Sequence, residues 1–451
     1  MRKVKIGVLG VYRGSSMINY CNTADNAEVV AICDKWEQGL QYHKEANEGK
    51  NITYYTDFDE FLKHDMDAVV LANYAHQHAP FAIKALKAGK HVYSEVSPAQ
   101  TMKEAVALVE AVEESGKIYM YGENYCYMRG TYEMYRQYRA GLIGEFTYGE
   151  GEYIHPITNS KADAALTYGD KNHWRYYLYS TYYCTHSLGP IIHITGLRPT
   201  HVVGLEGPQT PGGLARGHQQ GCPGIEMVTL ENGGIVKSIH GGLYKDSRWY
   251  SVYGKKGRLE TARWGTNHDN VSRVYMDWDD QPGATHTAKN KTIKVKGDQP
   301  KKAKYFAHGG GDYYAMWHFC EKLLGNPEAD IVDVYEGLNM WLPGHFAYRS
   351  LLAGGVTMEI PDMRKKEDRD KWRDNEECTD PEIMGDKRWP RYSKGEAEIP
   401  DEVYDMVKKE WEAVKEQKNG SLASSFRQGK KPNLWVRFVW RMHNLKKRDH
   451  T

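Results

Sequence analysis

An α/β chain with two differently built sheets is predicted by three features of the 451-residue sequence. Its first third alternates short apolar runs with helical periods, a glycine-bearing turn follows the first of those runs, and its middle changes to β-branched, alternating segments. Strand–helix units build a parallel sheet covered on both faces, whereas alternating segments build a mostly antiparallel sheet with one covered face. At about 100 to 200 residues per domain, the length calls for two domains and a tail.

Composition narrows the partners. A formal net charge of +1 with mixed signs and no basic cluster argues against nucleic acid, so a small molecule is expected. The seven cysteines (Cys21, Cys33, Cys126, Cys184, Cys222, Cys320, Cys378) are scattered and never spaced as CxxC. Neither a disulfide framework nor a zinc site is indicated, no metal is expected, and a reducing cytoplasm fits. The chain runs from MRK directly into VKIGVLG without a signal-like apolar region, and no run approaches membrane-span length. The 33 tyrosines supply flat apolar faces with a polar end, the surface that sugar rings pack against.

Taken in order, Val4 to Leu9 is a continuous apolar strand, followed by the turn Gly10-Val-Tyr-Arg-Gly14 and a helix through Ile18. Val29 to Cys33 is the next strand and ends at Asp34. This is a dinucleotide-binding pattern: a tight glycine turn lets the backbone approach a pyrophosphate, a helix N-terminus faces its charge, and an acid about 20 residues on binds ribose hydroxyls. Tyr12 stands where the second glycine of GxGxxG belongs, and Gly14 is displaced. A carboxylate at Asp34 repels a 2′-phosphate and so favours NAD over NADP, although Lys35 adjoins it.

Ala68 to Leu71 is a buried strand, and Ala82, Ile83 and Leu86 mark a helix that stops at Gly89. His91 to Tyr93 is a strand, Thr101 and Glu104 form a capping box ahead of a helix ended by Gly116, and Ile118 to Tyr121 is a strand. Residues 1–125 are thus expected to form an N-terminal Rossmann dinucleotide-binding domain. Ligands bind at the carboxyl ends of such strands, where Gly10 to Gly14, Asn73 to His78, Glu95 to Pro98 and Glu123 to Asn124 should lie. The cofactor-binding candidates are therefore Gly10, Tyr12, Arg13, Gly14, Asp34, Asn73, His76, His78, Glu95 and Asn124. His76 and His78 read as part of a cofactor loop rather than as metal ligands.

Phe146 to Ile154, His201 to Leu205, Ile225 to Leu230, Gly234 to His240 and Trp249 to Tyr253 read as strands, and Asp312 to Leu324 and Val334 to Leu352 as helices. Residues 126–362 are expected to form an α+β domain with a large, mostly antiparallel open sheet, one face over the site and the other for subunit contact; a homo-oligomer, dimer or tetramer, is expected. Residues 363–451 read as a charged C-terminal extension with helices, partly a solvated linker. Val403 to Val414 reads as an amphipathic helix. Leu434 to Met442 is an interfacial membrane helix or, the preferred reading, an arm packed on protein, so no stable membrane association is expected.

The stretch Asn172 to Pro190 (NHWRYYLYSTYYCTHSLGP) concentrates two histidines, an arginine and six aromatic rings without a helix or strand period. Trp174, Arg175 and Tyr183 are its substrate-binding candidates. His173, Trp174 and Arg175 read chiefly as pocket wall.

The segment GKHVYSEVSPA after NYAHQHAPFAIKALKAG resembles the Gfo/Idh/MocA oxidoreductase family over roughly residues 1–360. That family shows a lysine near the reacting alcohol where this chain has Val96. Within it, the chain looks most like the NAD-dependent glycoside hydrolases of family 109. The similar pieces are the EV turn, the first glycine turn, Glu123 to Arg129, Gly151 to His155, the HWR…YxTHxLGP segment, HGGGDYYAMWHF (His308 to Phe319) and VTMEIPD (Val356 to Asp362). Departures are Tyr12, Ser97, Cys184 and Ser187. The resemblance implies NAD as cofactor, a glycoside substrate and His186, Tyr183, Tyr153, His155 and Glu123 as catalytic candidates. It also implies transient oxidation at C3, loss of the C2 proton to Tyr153 or His155, elimination, water addition and re-reduction, with an α-linked N-acetylgalactosaminide as a candidate substrate. The alternatives are a sugar or inositol dehydrogenase, or a glycoside 3-dehydrogenase. An anionic sugar would suit Arg175, Lys171 and Arg129. A non-catalytic NAD sensor would not need Glu123, Tyr153, His155 and His186 together.

Overall fold

The computed structural model describes residues 2–263, 271–276, 289–294, 303 and 306–413. In the first domain β1 (Val4–Leu9), β2 (Ala27–Cys33), β3 (Thr53–Tyr55), β4 (Ala68–Leu71), β5 (His91–Ser94) and β6 (Tyr119–Tyr121) form a six-stranded sheet in the order β3-β2-β1-β4-β5-β6. All its pairs are parallel. The order reverses between β1 and β4, which opens a crevice at their carboxyl ends. The helices are α1 (Val11–Thr23), α2 (Glu37–Ala46), α3 (Phe58–Leu62), α4 (His78–Lys87) and α5 (Met102–Ser115). β4 reads as an unbroken apolar run because it is central and buried on both faces. The three-residue β3 and the helices beside it gave no such run. Thr101 accepts from the Glu104 amide at 3.2 Å, while the Glu104 carboxylate reaches the Gln100 amide at 2.7 Å, and α5 ends at Gly116 in the left-handed region.

The second domain adds α6 (Arg129–Arg139), α7 (Ala164–Thr167), α8 (Cys184–Thr195), α9 (Pro211–Leu214), α10 (Gly311–Leu323) and α11 (Val334–Leu352). Its strands are β7 (Phe146–Ile154), β8 (Pro199–Glu206), β9 (Gly224–Leu230), β10 (Ile235–Gly241), β11 (Ser247–Gly254), β12 (Gly257–Thr261), β13 (Val271–Met276), β14 (Lys289–Lys294) and β15 (Met358–Glu359). They form a nine-stranded sheet, β14-β13-β12-β11-β7-β10-β9-β8-β15, antiparallel except where β10 runs parallel to β7. α8 is buried along its whole length and crosses β7 so closely that a Cβ on Gly151 would lie 1.8 Å from the Ser187 carbonyl oxygen. Only glycine fits there. With Gly151 facing α8, the alternation of β7 puts Tyr153 on the same face, and the register brings His240 of β10 and Arg248 of β11 beside it.

The expected linker is instead a docked strap. Arg369 holds Glu113 on α5 at 2.9 and 3.0 Å, and Arg373 holds Glu110 at 2.7 Å through both nitrogens. Trp389 is buried against Tyr179, Tyr348 and His345. The charges that suggested a solvated segment serve pairing, which composition alone does not distinguish. The helical stretch 401–413 packs on the second domain through Tyr404 on Tyr176 (5.1 Å between ring centres) and Trp411 on Tyr168 (5.0 Å). Leu434 to Met442 lies outside the described residues. Among the described residues no helix is long and apolar enough to cross a membrane.

One buried histidine ties this domain together. His193 on α8 lies 2.8 Å from Glu336 on α11 and 3.1 Å from Asp330. Burial opposes its charge, but the two carboxylates outweigh burial and raise it to about 10. A raised pKa gives stability that is full below the unfolded value of about 6.5 and is lost as pH rises through the folded one. His193→Gln is therefore expected to cost roughly 3 kcal/mol in urea unfolding at about pH 6 and much less near pH 10. An equal cost at both pH values contradicts this assignment.

Candidate active site

The first turn is shaped by backbone contact. Gly10 has φ +92, and a Cβ there would sit 2.4 Å from the Ala72 carbonyl oxygen. The Asp34 carboxylate accepts from the Val11 amide at 2.7 Å and the Trp36 amide at 2.9 Å, which fixes the entry to α1. Each of its oxygens retains a lone pair for a ribose hydroxyl. Gly14 packs against Val8, and Tyr12 lies at the surface.

Asn73 follows β4, and both polar atoms of its amide are buried without a partner among the described residues. His76 Nδ1 and Asn124 Oδ1, on the same sheet edge, are likewise buried without a partner among them. These groups suit a ligand that both donates and accepts along the carboxyl ends of the strands, as a dinucleotide does. His78 has a different role. It is buried with Nδ1 2.9 Å from the Ser97 carbonyl oxygen and Nε2 3.2 Å from that of Asn73. Burial pushes it down to about 4, so the neutral ring donates to one of these two carbonyls and only packs against the other.

Arg13 joins that edge to the second domain. It donates to Asp312 at 2.7 and 3.0 Å and to Glu95 at 2.8 Å. Asp312 also accepts from Ser16 at 2.9 Å and Asn124 at 2.9 Å, and lies 2.9 Å from His308 Nδ1. Burial opposes charge on Asp312, but Arg13 and His308 outweigh it and hold the carboxyl well below its usual range. Burial raises Glu95, which shares the same guanidinium. Asp312 and His308 were not among the sequence candidates; HGGGDYY was a recognisable motif, but its pairing with Arg13, 299 positions away, was not legible.

Beyond β6 the site becomes a histidine enclosed by aromatic rings. Glu123 is fully buried and its Oε1 lies 2.9 Å from His186 Nδ1, while Oε2 has no partner among the described residues. The His186 ring is 4.7 Å from Tyr125, 4.7 Å from Tyr153 and 5.8 Å from Tyr183, to which it is parallel within 13°. Tyr250 donates to the His186 carbonyl oxygen and anchors α8 to β11. Glu123 accepts rather than donates, so Nδ1 carries the hydrogen and Nε2 keeps its lone pair. Of the catalytic candidates, Glu123, His186, Tyr153 and Tyr183 meet here. Tyr125 was missed, although the Glu123-to-Arg129 motif contains it.

Arg175 lies over the Trp174 ring at 4.5 Å and donates to the Tyr183 hydroxyl at 3.2 Å. Trp174 is buried and its ring lies 5.8 Å from that of His76, so this segment reaches back to the cofactor edge. His173 accepts the Arg175 amide at 3.3 Å, and burial, with Arg175 adding, lowers it to about 3; it is a wall residue. His155 lies at the rim, 3.0 Å from Asp246 and 5.7 Å from the Tyr153 ring.

Residues 4–123 match the model of the Gfo/Idh/MocA family, described as an oxidoreductase family with an NAD-binding Rossmann fold. Their parallel sheet, glycine turn and acid-tipped β2 agree with it. These residues form a Gfo/Idh/MocA NAD-binding domain. Over 403 residues, 81% of this chain and 78% of the relative, the chain is 26% identical to a glycosyl hydrolase family 109 protein of Streptomyces filamentosus. It is 25% identical to glycosyl hydrolase family 109 protein 2 of Shewanella sp. strain ANA-3, over 81% of this chain and 86% of the relative. In fold it is similar to an Agrobacterium radiobacter oxidoreductase solved with NAD+, L-tartaric acid and magnesium, at TM-score 0.64 and 14% identity over 79% of this chain and 98% of the other. It is also similar to scyllo-inositol dehydrogenase of Lactobacillus casei solved with NAD(H) and scyllo-inositol, at TM-score 0.61 and 16% identity over 79% of this chain and 99% of the other. The matched residues thus form an NAD-binding Rossmann domain, NAD is the cofactor, and the chain resembles these solved proteins in fold.

Asp312→Asn leaves Arg13 without its bidentate partner and loosens Asn124 and His308. It is expected to weaken NAD binding by roughly 2 kcal/mol, about thirtyfold, in calorimetric titration. An unchanged affinity would show that the network does not organise the cofactor edge.

Proposed function

We propose that this protein is an NAD-dependent glycosidase that cleaves its substrate by oxidation, elimination and re-reduction, with N-acetyl-α-galactosaminides as the first substrates to try. The observation that carries this reading is the buried Glu123–His186 pair, enclosed by Tyr125, Tyr153 and Tyr183, beside an NAD-binding edge where Val96 replaces the family's lysine. The relatives of family 109 at 25–26% identity support it. The resemblance in fold to inositol and sugar dehydrogenases keeps net oxidation as the competing outcome.

Asn73, Asn124 and Asp34 would hold NAD, which when bound would supply a reversible hydride acceptor for C3 of the sugar. His186 Nε2 takes the proton of the C3 hydroxyl. Glu123 keeps the ring oriented and stabilises the imidazolium formed, as the buried carboxylate does in other carboxylate–histidine pairs. Arg175 fixes the Tyr183 phenol so that its O–H is directed by the substrate. The C3 ketone acidifies C2, whose proton goes to Tyr153 or His155, and the aglycone departs from C1. No oxocarbenium ion forms, so the paired carboxylates of ordinary glycosidases are not required.

Turnover of an aryl glycoside in D₂O is expected to place deuterium at C2 of the released sugar, with no accumulation of NADH, as read by NMR and near-ultraviolet absorbance. Hydrogen retained at C2, or NADH rising in step with product, would assign the protein to the dehydrogenases instead.

A further inference from the structure

Another carboxylate–imidazole pair stands at the end of β7. β7 ends at Ile154, which pairs with Ser247, so the next residue on each strand, His155 and Asp246, face one another. His155 Nδ1 lies 3.0 Å from Asp246 Oδ1, and the His155 amide donates to the Gly241 carbonyl oxygen at 2.9 Å. Three strand ends therefore fix this histidine. An ionised carboxylate only accepts, so Nδ1 holds the hydrogen and Nε2 presents a lone pair.

The two pairs differ in access to water. The side chains of His186 and Glu123 are 10% and 0% exposed, whereas those of His155 and Asp246 are 45% and 32% exposed. Tyr153 stands between them, its ring 4.7 Å from His186 and 5.7 Å from His155. One pair thus lies beside the cofactor edge, and the other is open to water.

We propose that Asp246 is a positioning residue that makes His155 the acid–base group of the elimination half-reaction, leaving the Glu123–His186 pair to the oxidation half-reaction. This rests on the glycosidase reading above. In the 3-keto sugar, His155 Nε2 removes the C2 proton, and the C–H pair becomes the C2=C3 bond of an enolate with its charge on O3. The charge returns to restore the C3 carbonyl, the pair moves to form C1=C2, and the C1–O bond breaks with its electrons on the aglycone oxygen. Water at the exposed rim protonates that oxygen from the opposite face of the ring, and the imidazolium passes the C2 proton to water, so no net charge or redox equivalent is left over. Water addition reverses the path, its hydroxyl going to C1 and a proton to C2. Tyr153 is the poorer base, because burial pushes its phenol well above the ordinary range. His186 is held by Glu123 on the side away from the rim.

The test uses the NAD-bound enzyme with whichever aryl glycoside the wild type cleaves fastest. Asp246→Asn and His155→Gln are each expected to reduce bound NAD in a single turnover at close to the wild-type rate. Deuterium incorporation at C2 and aglycone release should fall about a hundredfold. Asp246→Glu should recover part of the exchange, and the pH profile of release, unlike that of NAD reduction, should shift in Asp246→Asn. Retained NAD reduction shows that each variant is folded. Wild-type exchange in Asp246→Asn, or equal loss of reduction and exchange, overturns the assignment. A wild type that reduces bound NAD without exchanging C2 refutes the glycosidase reading itself and this inference with it.

Discussion

The pairing of the partly exposed Arg13 with the fully buried Asp312 is the constraint on which the site depends. A charge removed from water is tolerated only when it is paired and its hydrogen bonds are filled. Arg13 satisfies this by reaching Glu95 at the end of β5 and Asp312 at the start of α10, and Asp312 in turn holds Ser16, Asn124 and His308. The glycine turn, the strand edge and the second domain are thereby held in one geometry. Asn124 directly follows Glu123, so the same network fixes the residue that orients His186.

A similar economy of fixed contacts runs through the second domain. Gly151 lets α8 lie against β7, Tyr250 ties the His186 carbonyl to β11, and β7 delivers Tyr153 and His155 from its last turn of alternation. The histidine is thus placed by a buried helix and a sheet rather than by a loop. The aromatic segment before α8 supplies the adaptable wall, with Arg175 bridging Trp174 and Tyr183. The strap and the 401–413 helix press on that wall from outside through Trp389 and Tyr404.

Much of this was legible in the residues because it is local. Apolar runs such as Val4–Leu9 and Ala68–Leu71 match their strands end for end, and Thr101 and Gly116 bound α5 as their chemistry requires. In the stretch Asn172–Pro190, Tyr183 and His186 stand at the Glu123 cluster and Arg175 reaches it through the Tyr183 hydroxyl, while His173 lies in the wall where its sequence context put it. What escaped was non-local. Asp312 reaches Arg13 across 299 positions, and Asp246 meets His155 only through strand register. The strap was misread because arginines paired with Glu110 and Glu113 have the same composition as arginines in water.

In the glycosidase reading proposed above, the Glu123–His186 pair takes the alcohol proton, since Val96 stands where the resembled family has a lysine. The most direct measurement is single-turnover reduction of bound NAD by His186→Gln, with NAD content checked in the same preparation. The account predicts full NAD occupancy with reduction slowed by about a thousandfold. Reduction at the wild-type rate in a fully loaded His186→Gln enzyme would contradict it.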